Sequence, residues 1–377
     1  MPSALPPGSH VVDTTIFFAP TSGGVRRYLV AKHDWLKRHT QLRHTILVPG
    51  PDDAGDAFGI ACFRGPALPG SGGYRLPLRM RAFRDRLARL APDLIEVGDP
   101  YHAAWHAVQA ARQQGIPAVA FCHSDVITLA GGFLGGVGQR LAAQYLRQLY
   151  GRFDLVLAPS ATIANRLDAA GVRNVAIQPL GVDLATLAPG GRDPALRHRL
   201  GIRGGTRLLV FAGRLSPEKR VRDLREAMRL LGPRYHLLLV GGTRPARLAS
   251  NVTLLEYQHD PRALACVLGS CDAFVHAGDQ ETFGLVAIEA MACGLPVVAA
   301  RGGALDELVD DAVGATFTPR DPSDLARAVA GVFERDRRAL SAAARARAHA
   351  YSWDRAFARL LDHYARLLPS RDLSPVR

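Results

Sequence analysis

Short apolar runs of strand-like composition alternate with helical patterns along nearly the whole chain, and the alternation restarts once, shortly after residue 205. This constrains the fold more than any other feature, because repeated βαβ units imply parallel sheets covered by helices on both faces. In the first half the strand candidates are VVDTTIFFA, HTILVPG, DLIEVG, IPAVAFCH, DLVLAPS and NVAIQPLG, with GGVRRYLVAKHDWLKRH and AWHAVQAARQQG among the helical segments between them. The second series runs TRLLVFAGR, YHLLLVGG, NVTLLEY, CDAFVHAG and LPVVAAR. The fold class is therefore α/β, with two doubly wound domains. Residues 1–185 form the first, the turn-rich stretch 186–204 reads as a linker, and 205–354 form the second. A last helical segment, 355–377, is expected to cross back to the first domain. Ligands of open α/β sheets bind beyond the carboxyl ends of the strands, so two such domains facing each other would line a cleft.

A hydrophobic content of 48% and a charged fraction of 21% mark a globular chain. The opening residues show no secretory pattern and no apolar run looks long enough to cross a bilayer. Five cysteines with no C-x-x-C pair suggest reduced thiols in a cytoplasmic protein. The net charge is +13, but only Lys32, Lys37 and Lys219 among the 47 basic residues are lysines. This charge is spread evenly along the chain rather than gathered on one segment, which argues against a nucleic-acid partner. It still favours an anionic partner, either a phosphate-bearing substrate or a lipid surface.

Three segments carry chemistry. "APTSGGVRRYL" puts Gly23 and Gly24 between the first strand and a helix, where backbone N–H groups can approach an anion. It is not G-x-G-x-x-G, so a dinucleotide is disfavoured. "FAGRLSPEKR" offers Arg214 and Lys219 just after a strand, two cations able to neutralise a diphosphate. "HAGDQETFGLVAIEAMACGLPVV" sets Glu281 and Glu289 eight positions apart around the helix opening Phe283-Gly284-Leu285. Eight helical residues would span about 12 Å, comparable with a hexose–diphosphate–ribose unit. Glu281 would then accept from sugar hydroxyls and Glu289 from a ribose diol, while the helix start faces phosphate. An exposed helix face is the plainer alternative for Glu289, since its burial without donors would be costly.

With these motifs in this order, the chain resembles the retaining glycosyltransferases of family 4, which have the two-domain GT-B fold. The likeness extends through PLGVDLATLAP, GRLSPEKR, the E-x7-E segment with EAMACGLPVVAARGGALDELV, and YSWDRAFARLLDHY. It implies a nucleotide-sugar donor bound by Gly23, Gly24, Arg214, Lys219, Tyr257, Glu281, Phe283, Gly284, Leu285 and Glu289. It also implies an N-terminal acceptor domain and a catalytic group of His123, Glu281, Arg214 and Lys219. His123, in "VAFCHSD", takes the place of the family's histidine beside the donor sugar, at the end of the fourth N-terminal strand. The look of this segment leans toward the mannosyltransferase branch. Two departures stand out: Ala277-Gly278 where the family often has Pro-Ser, and Arg220 where it often has Gly.

No D-x-D triplet occurs among the 26 aspartates, so no metal and no other cofactor is expected, the cations stabilising the leaving diphosphate. The resemblance implies retention by front-face departure, with the leaving phosphate helping to deprotonate the acceptor. The expected reaction moves a hexose from GDP-mannose or a UDP-hexose to a lipid or glycan hydroxyl. Tyr257 and Gln258 are placed to contact the base. "YRLPLRMRAFRDRLARL", residues 74–90, reads as a basic amphipathic helix with Leu76, Met80, Phe83, Leu87 and Leu90 on one stripe, which is either suited to peripheral docking on anionic membrane or, as such helices more often are, packed on its own sheet. A sugar-nucleotide epimerase or hydrolase of the same fold, or a basic nucleic-acid binder, are the alternatives. The first would convert donor without an acceptor; the second leaves both glutamates unexplained.

Overall fold

The computed structural model of the chain describes residues 5–19, 22–55, 58–69 and 71–368. It divides into two compact units, one of Met1–Leu180 with Trp353–Arg377 and one of Gly181–Ser352. Each is built on its own seven-stranded sheet.

In the first unit the strands are β1 (His10–Thr14), β2 (Arg43–Gly50), β3 (Ile60–Arg64), β4 (Leu94–Val97), β5 (Ala118–Phe121), β6 (Leu155–Ala158) and β7 (Val175–Ile177). Their spatial order is β3-β2-β1-β4-β5-β6-β7, with every pairing parallel. The chain thus winds outward from β1 in one direction and then from β4 in the other. β1, β4 and β5 are buried at every position, as strands covered on both faces must be.

The second unit contains β8 (Arg207–Ala212), β9 (Tyr235–Gly242), β10 (Ala246–Ala249), β11 (Val252–Glu256), β12 (Ala273–His276), β13 (Val297–Ala300) and β14 (Gly314–Phe317). The order is β10-β11-β9-β8-β12-β13-β14, parallel except for the β10–β11 hairpin at one edge.

The expected linker is no linker. Residues 186–204 belong to the second unit and are bonded to it: Asp193 N–H donates to Ser270 Oγ at 2.8 Å, and the Arg197 guanidinium meets Asp272 at 2.7 Å. The last helix runs Trp353–Ala365 and packs in the first unit, where Gln178 Nε2 donates to the Ala356 carbonyl at 2.9 Å and Trp35 Nε1 to Asp354 at 2.7 Å. Residues 369–377 of that expected segment lie outside the described residues.

Of the two readings of the amphipathic stretch 74–90, the structure has the packed helix. Its helix is Met80–Leu90, and Met80, Phe83 and Leu87 enter the first unit's own core. Three of the five stripe residues are thus spent on the protein interior and Leu90 packs against the same core, while Leu76, ahead of the helix, is 37% exposed. A different helix, Val126–Tyr150, is long and apolar enough to cross a membrane by length and composition. It is broken at Gly135 (φ 57°, ψ −147°), and its last turns, with Leu146, Leu149 and Tyr150, belong to the core.

The most polar feature of the first unit lies at its centre. Lys32, on the helix Gly24–His39, is 0% exposed. Its ammonium donates to Asp13 on β1 at 2.8 Å, to Glu96 on β4 at 3.0 Å and to the Tyr364 hydroxyl of the last helix at 2.6 Å. Tyr364 and Tyr28 each donate to Glu96 in turn. Burial of Asp13 is outweighed by Lys32 and His44, and its carboxyl is held below the usual range. Burial and the neighbouring Asp13 push Glu96 up against the pull of Lys32. Removing this ammonium would leave the Asp13 and Glu96 carboxylates in the interior without it. Lys32→Met should therefore cost about 3–5 kcal/mol. Tyr364→Phe, which deletes one hydroxyl bridge, should cost about 1–3 kcal/mol. Chemical denaturation of both variants against the wild type measures this; equal stability for Lys32→Met would show that the ammonium does not hold the carboxylates.

Candidate functional site

In the second unit, β8, β9, β11, β12 and β13 run parallel, so their carboxyl ends share one edge of the sheet. That edge carries Gly213 and Arg214 after β8, Tyr257 after β11, and Ala277 through Glu281 after β12. Glu281 is the centre of the cluster. One oxygen bonds the Lys219 ammonium and lies 2.9 Å from His276 Nε2. Burial alone would raise its carboxyl pKa, but Lys219 and His276 outweigh it and keep the group firmly ionised. His276 ends β12, is buried, and packs against Phe211 and Phe274. Nε2 faces the carboxylate and donates to it, while Nδ1 lies 3.2 Å from both the N–H and the carbonyl of Gly278.

Glu281 and Glu289 do not share a helix. The helix is Leu285–Ala292, capped by Gly284 in the left-handed region (φ 85°), and Glu281 sits in the loop before it. The 12 Å helical span therefore does not apply, and a loop plus one helical turn separates the two carboxylates. Glu289 is 5% exposed, which removes the exposed-face alternative. Phe283 is buried against the Tyr351 ring, 5.7 Å between centroids, and Leu285 is largely buried. Both secure the start of this helix.

The loops hold the cluster by close backbone approach. A Cβ at Gly303 would come within 2.8 Å of the Glu281 carbonyl, which also accepts from Ala304 N–H at 2.9 Å. A Cβ at Gly278 would sit 2.6 Å from the Glu218 carbonyl. Arg214 stands apart from the cluster. Its side chain is 70% exposed and pairs loosely with Glu218 at 3.7 Å. Tyr257 is half-buried, edge-on to His259 at 4.8 Å.

The first unit presents the remaining candidates. Gly23 caps the helix Gly24–His39 with no side-chain cap, and the helix's own first turn carries no carboxylate to repel an anion. His123 lies two residues beyond β5, the fifth strand in chain order rather than the fourth, because β3 intervenes. Its ring stacks on Phe121 at 4.1 Å and lies 5.3 Å from the Tyr28 ring. Burial pushes its pKa down to about 3, so near neutrality it acts as a neutral imidazole.

The Glycosyltransferase Family 4 model matches residues 22–186, and the Glycosyl transferases group 1 model matches residues 193–349. A GDP-mannose-dependent alpha-(1-6)-phosphatidylinositol dimannoside mannosyltransferase from Mycobacterium tuberculosis is 31% identical over 378 aligned residues, covering 93% of this chain and 95% of its own. The chain belongs to glycosyltransferase family 4. A GDP-mannose-dependent alpha-mannosyltransferase from the same species is 33% identical, with 95% of this chain and 96% of the relative covered. Among solved structures, sucrose-phosphate synthase from Thermosynechococcus elongatus superposes with a TM-score of 0.80 at 22% identity, covering 95% of this chain and 99% of that one. Anabaena HepE, in complex with UDP and glucose, gives 0.74 at 21% identity, covering 95% and 100%. These likenesses establish the GT-B class of fold with two Rossmann-like domains. The family establishes hexosyl transfer from a nucleotide sugar as the reaction class.

His276 was not among the residues singled out from sequence. Its signal was available: a histidine at the last position of the strand that delivers Glu281, five residues before it.

The depressed histidines set a pH dependence. His123, His44 and His10, all in the first unit, have their pKa values lowered chiefly by burial. Unfolded histidines titrate near 6.5. Below that pH the unfolded chain binds protons that the folded chain refuses, so stability falls as pH drops. Glu96, whose pKa is raised, works in the opposite direction. Thermal unfolding should show a lower midpoint at pH 5.0 than at pH 7.5, with a smaller drop for His123→Asn. An equal drop in that variant would mean that His123 is not held neutral by the fold.

Proposed function

We propose that the protein is a retaining, metal-independent mannosyltransferase that moves mannose from GDP-mannose to a hydroxyl of a glycolipid. The observation carrying this reading is the Lys219–Glu281–His276 cluster beyond β8 and β12, in a chain matched almost end to end by relatives named for GDP-mannose. A structural neighbour complexed with UDP-glucose supports a nucleotide-sugar donor at a site of this fold.

The ion pair suggests how the donor is received. An ammonium has three donors and no fixed plane, so Lys219 can keep one bond to Glu281 while turning another toward an entering diphosphate. Glu281, held ionised, then has acceptor capacity for sugar hydroxyls. It orients the hexose and stabilises positive charge developing at the anomeric carbon. Arg214, already solvated, is free to swing onto phosphate bidentately. In this reading Glu289 receives the ribose diol. In the transfer step the acceptor oxygen bonds to the anomeric carbon on the face the diphosphate leaves. The bond from that carbon to the diphosphate oxygen breaks, and the acceptor proton passes to the departing phosphate. Lys219 and Arg214 offset the charge that accumulates there, and the neutral His123 offers the sugar a hydrogen bond without adding charge.

Calorimetry with GDP and UDP tests the base, and incubation of GDP-mannose with phosphatidylinositol mannosides tests donor and acceptor together. GDP should bind more tightly than UDP. A mannolipid product should form in EDTA as readily as without it. Lys219→Ala should lower kcat by about 10²–10³-fold, and Glu281→Gln should also lose most activity. Tighter UDP binding would overturn the GDP-mannose reading. Loss of transfer in EDTA with recovery in Mn²⁺ would overturn metal independence. GDP-mannose consumed without any mannosylated product would point to a hydrolase or epimerase.

A further inference from the structure

The helix Val126–Tyr150 is an elbow with an apolar tip. Gly135 leaves helical geometry, and the arms on either side close on each other through glycines. A Cβ at Gly138 would lie 2.3 Å from the Ala130 carbonyl, and one at Gly131 would meet the Gln139 side chain at 2.6 Å. The bend is therefore packed into shape rather than merely permitted. Its foot is fixed at both ends. Asp125 accepts from Thr128 N–H at 3.1 Å and pairs with Arg166. Leu146, Leu149 and Tyr150 are in the core.

Between these anchors the elbow turns its apolar side chains outward. Phe133 is 86% exposed, and Leu134, Val137 and Leu141 are each more than half exposed. Isolated exposed apolar residues need no explanation, but a contiguous group on one bend does. No acidic residue occurs from Val126 to Phe153, whereas Arg140, Arg147 and Arg152 are exposed on this stretch. A surface that is apolar at its tip and only positive at its flank suits the boundary of an anionic bilayer. A second copy of the chain fits less well. Pairing two elbows would bring Arg140 against its twin, in molecules of net charge +13. A transmembrane arrangement does not fit either, since the arms of about 9 and 15 residues span about 13 and 22 Å against a core of about 30 Å.

We propose that this elbow is a membrane-docking wedge, with Phe133, Leu134 and Val137 entering the headgroup–acyl boundary of an anionic leaflet and Arg140 at its phosphates. It does not depend on which donor or acceptor the enzyme uses.

The test is co-sedimentation of the full chain with vesicles, without donor or acceptor. Vesicles of phosphatidylcholine with one-third phosphatidylglycerol should bind the protein at least tenfold more strongly than phosphatidylcholine alone. The double variant Phe133→Ser, Leu134→Ser should lose at least tenfold of that binding while keeping nucleotide affinity. Arg140→Glu should lose several-fold, with the salt dependence reduced. Unchanged binding by the double variant would overturn the proposal. So would a wild-type dimer, seen by gel filtration, that fails to bind vesicles and is dissolved by the same substitutions. Phe133→Trp provides a readout that leaves the apolar tip in place. Its emission should shift to the blue on adding the anionic vesicles and be quenched by brominated acyl chains. An unshifted, unquenched tryptophan would place the tip in water and reject the wedge.

Discussion

The first unit is organised around one ammonium group held between two carboxylates. Lys32 reaches Asp13 and Glu96 on adjacent central strands and the Tyr364 hydroxyl on the last helix. A buried charge of either sign alone would be prohibitive, and two carboxylates without the cation more so. The arrangement therefore has one satisfactory geometry, with β1, β4, the helix Gly24–His39 and the helix Trp353–Ala365 all in place. It reaches toward His123 as well. The Tyr28 hydroxyl donates to Glu96 at 3.1 Å while its ring lies against His123. The network that places the last helix thus also fixes the ring that packs against that histidine.

The second unit repeats the motif of lysine against glutamate with a different outcome. Lys219 and Glu281 are each close to one-fifth exposed, whereas Lys32 is sealed. A sealed pair can only be structural, since nothing can displace its partners. A pair at the edge of a sheet can exchange one partner for a ligand, and the remaining bonds keep it oriented. Here a compact ammonium suits the task better than a guanidinium, whose flat fork would commit two donors to one plane. Two of the three lysines in an arginine-rich chain occupy such positions, while the third, Lys37, is exposed.

Much of this was legible in the sequence, and the failures have physical causes. The parallel α/β class and eleven of the fourteen strands follow from apolar periodicity. β3, β10 and β14 do not. β10 is exposed throughout and β14 is half-buried at two of its four positions, so neither carries a burial pattern. Their pairing is decided by the neighbouring strand rather than by their own composition. The elbow helix was missed because its five glycines between residues 131 and 138 contradict helix propensity. Segment 186–204 has the composition of a linker, and it is the partners of Arg192, Asp193 and Arg197 that show it is anchored. Lys32 was visible as a rare residue but not as a buried one, since its three partners lie 19, 64 and 332 positions away.

The two departures from the family pattern belong to one piece of structure. Arg220, where the family often has glycine, adopts the left-handed conformation (φ 52°, ψ 41°) that glycine would take without strain. An ion pair of 2.6 Å to Asp223 holds it there. Gly278, where the family often has serine, faces the same turn: a Cβ there would lie 2.6 Å from the Glu218 carbonyl and 3.3 Å from Lys219 Cα. The side chain missing at 278 leaves the space into which the Glu218–Lys219 backbone comes. The strain accepted at 220 completes the turn that brings it there. The two changes meet behind Lys219, whose ammonium stays on Glu281.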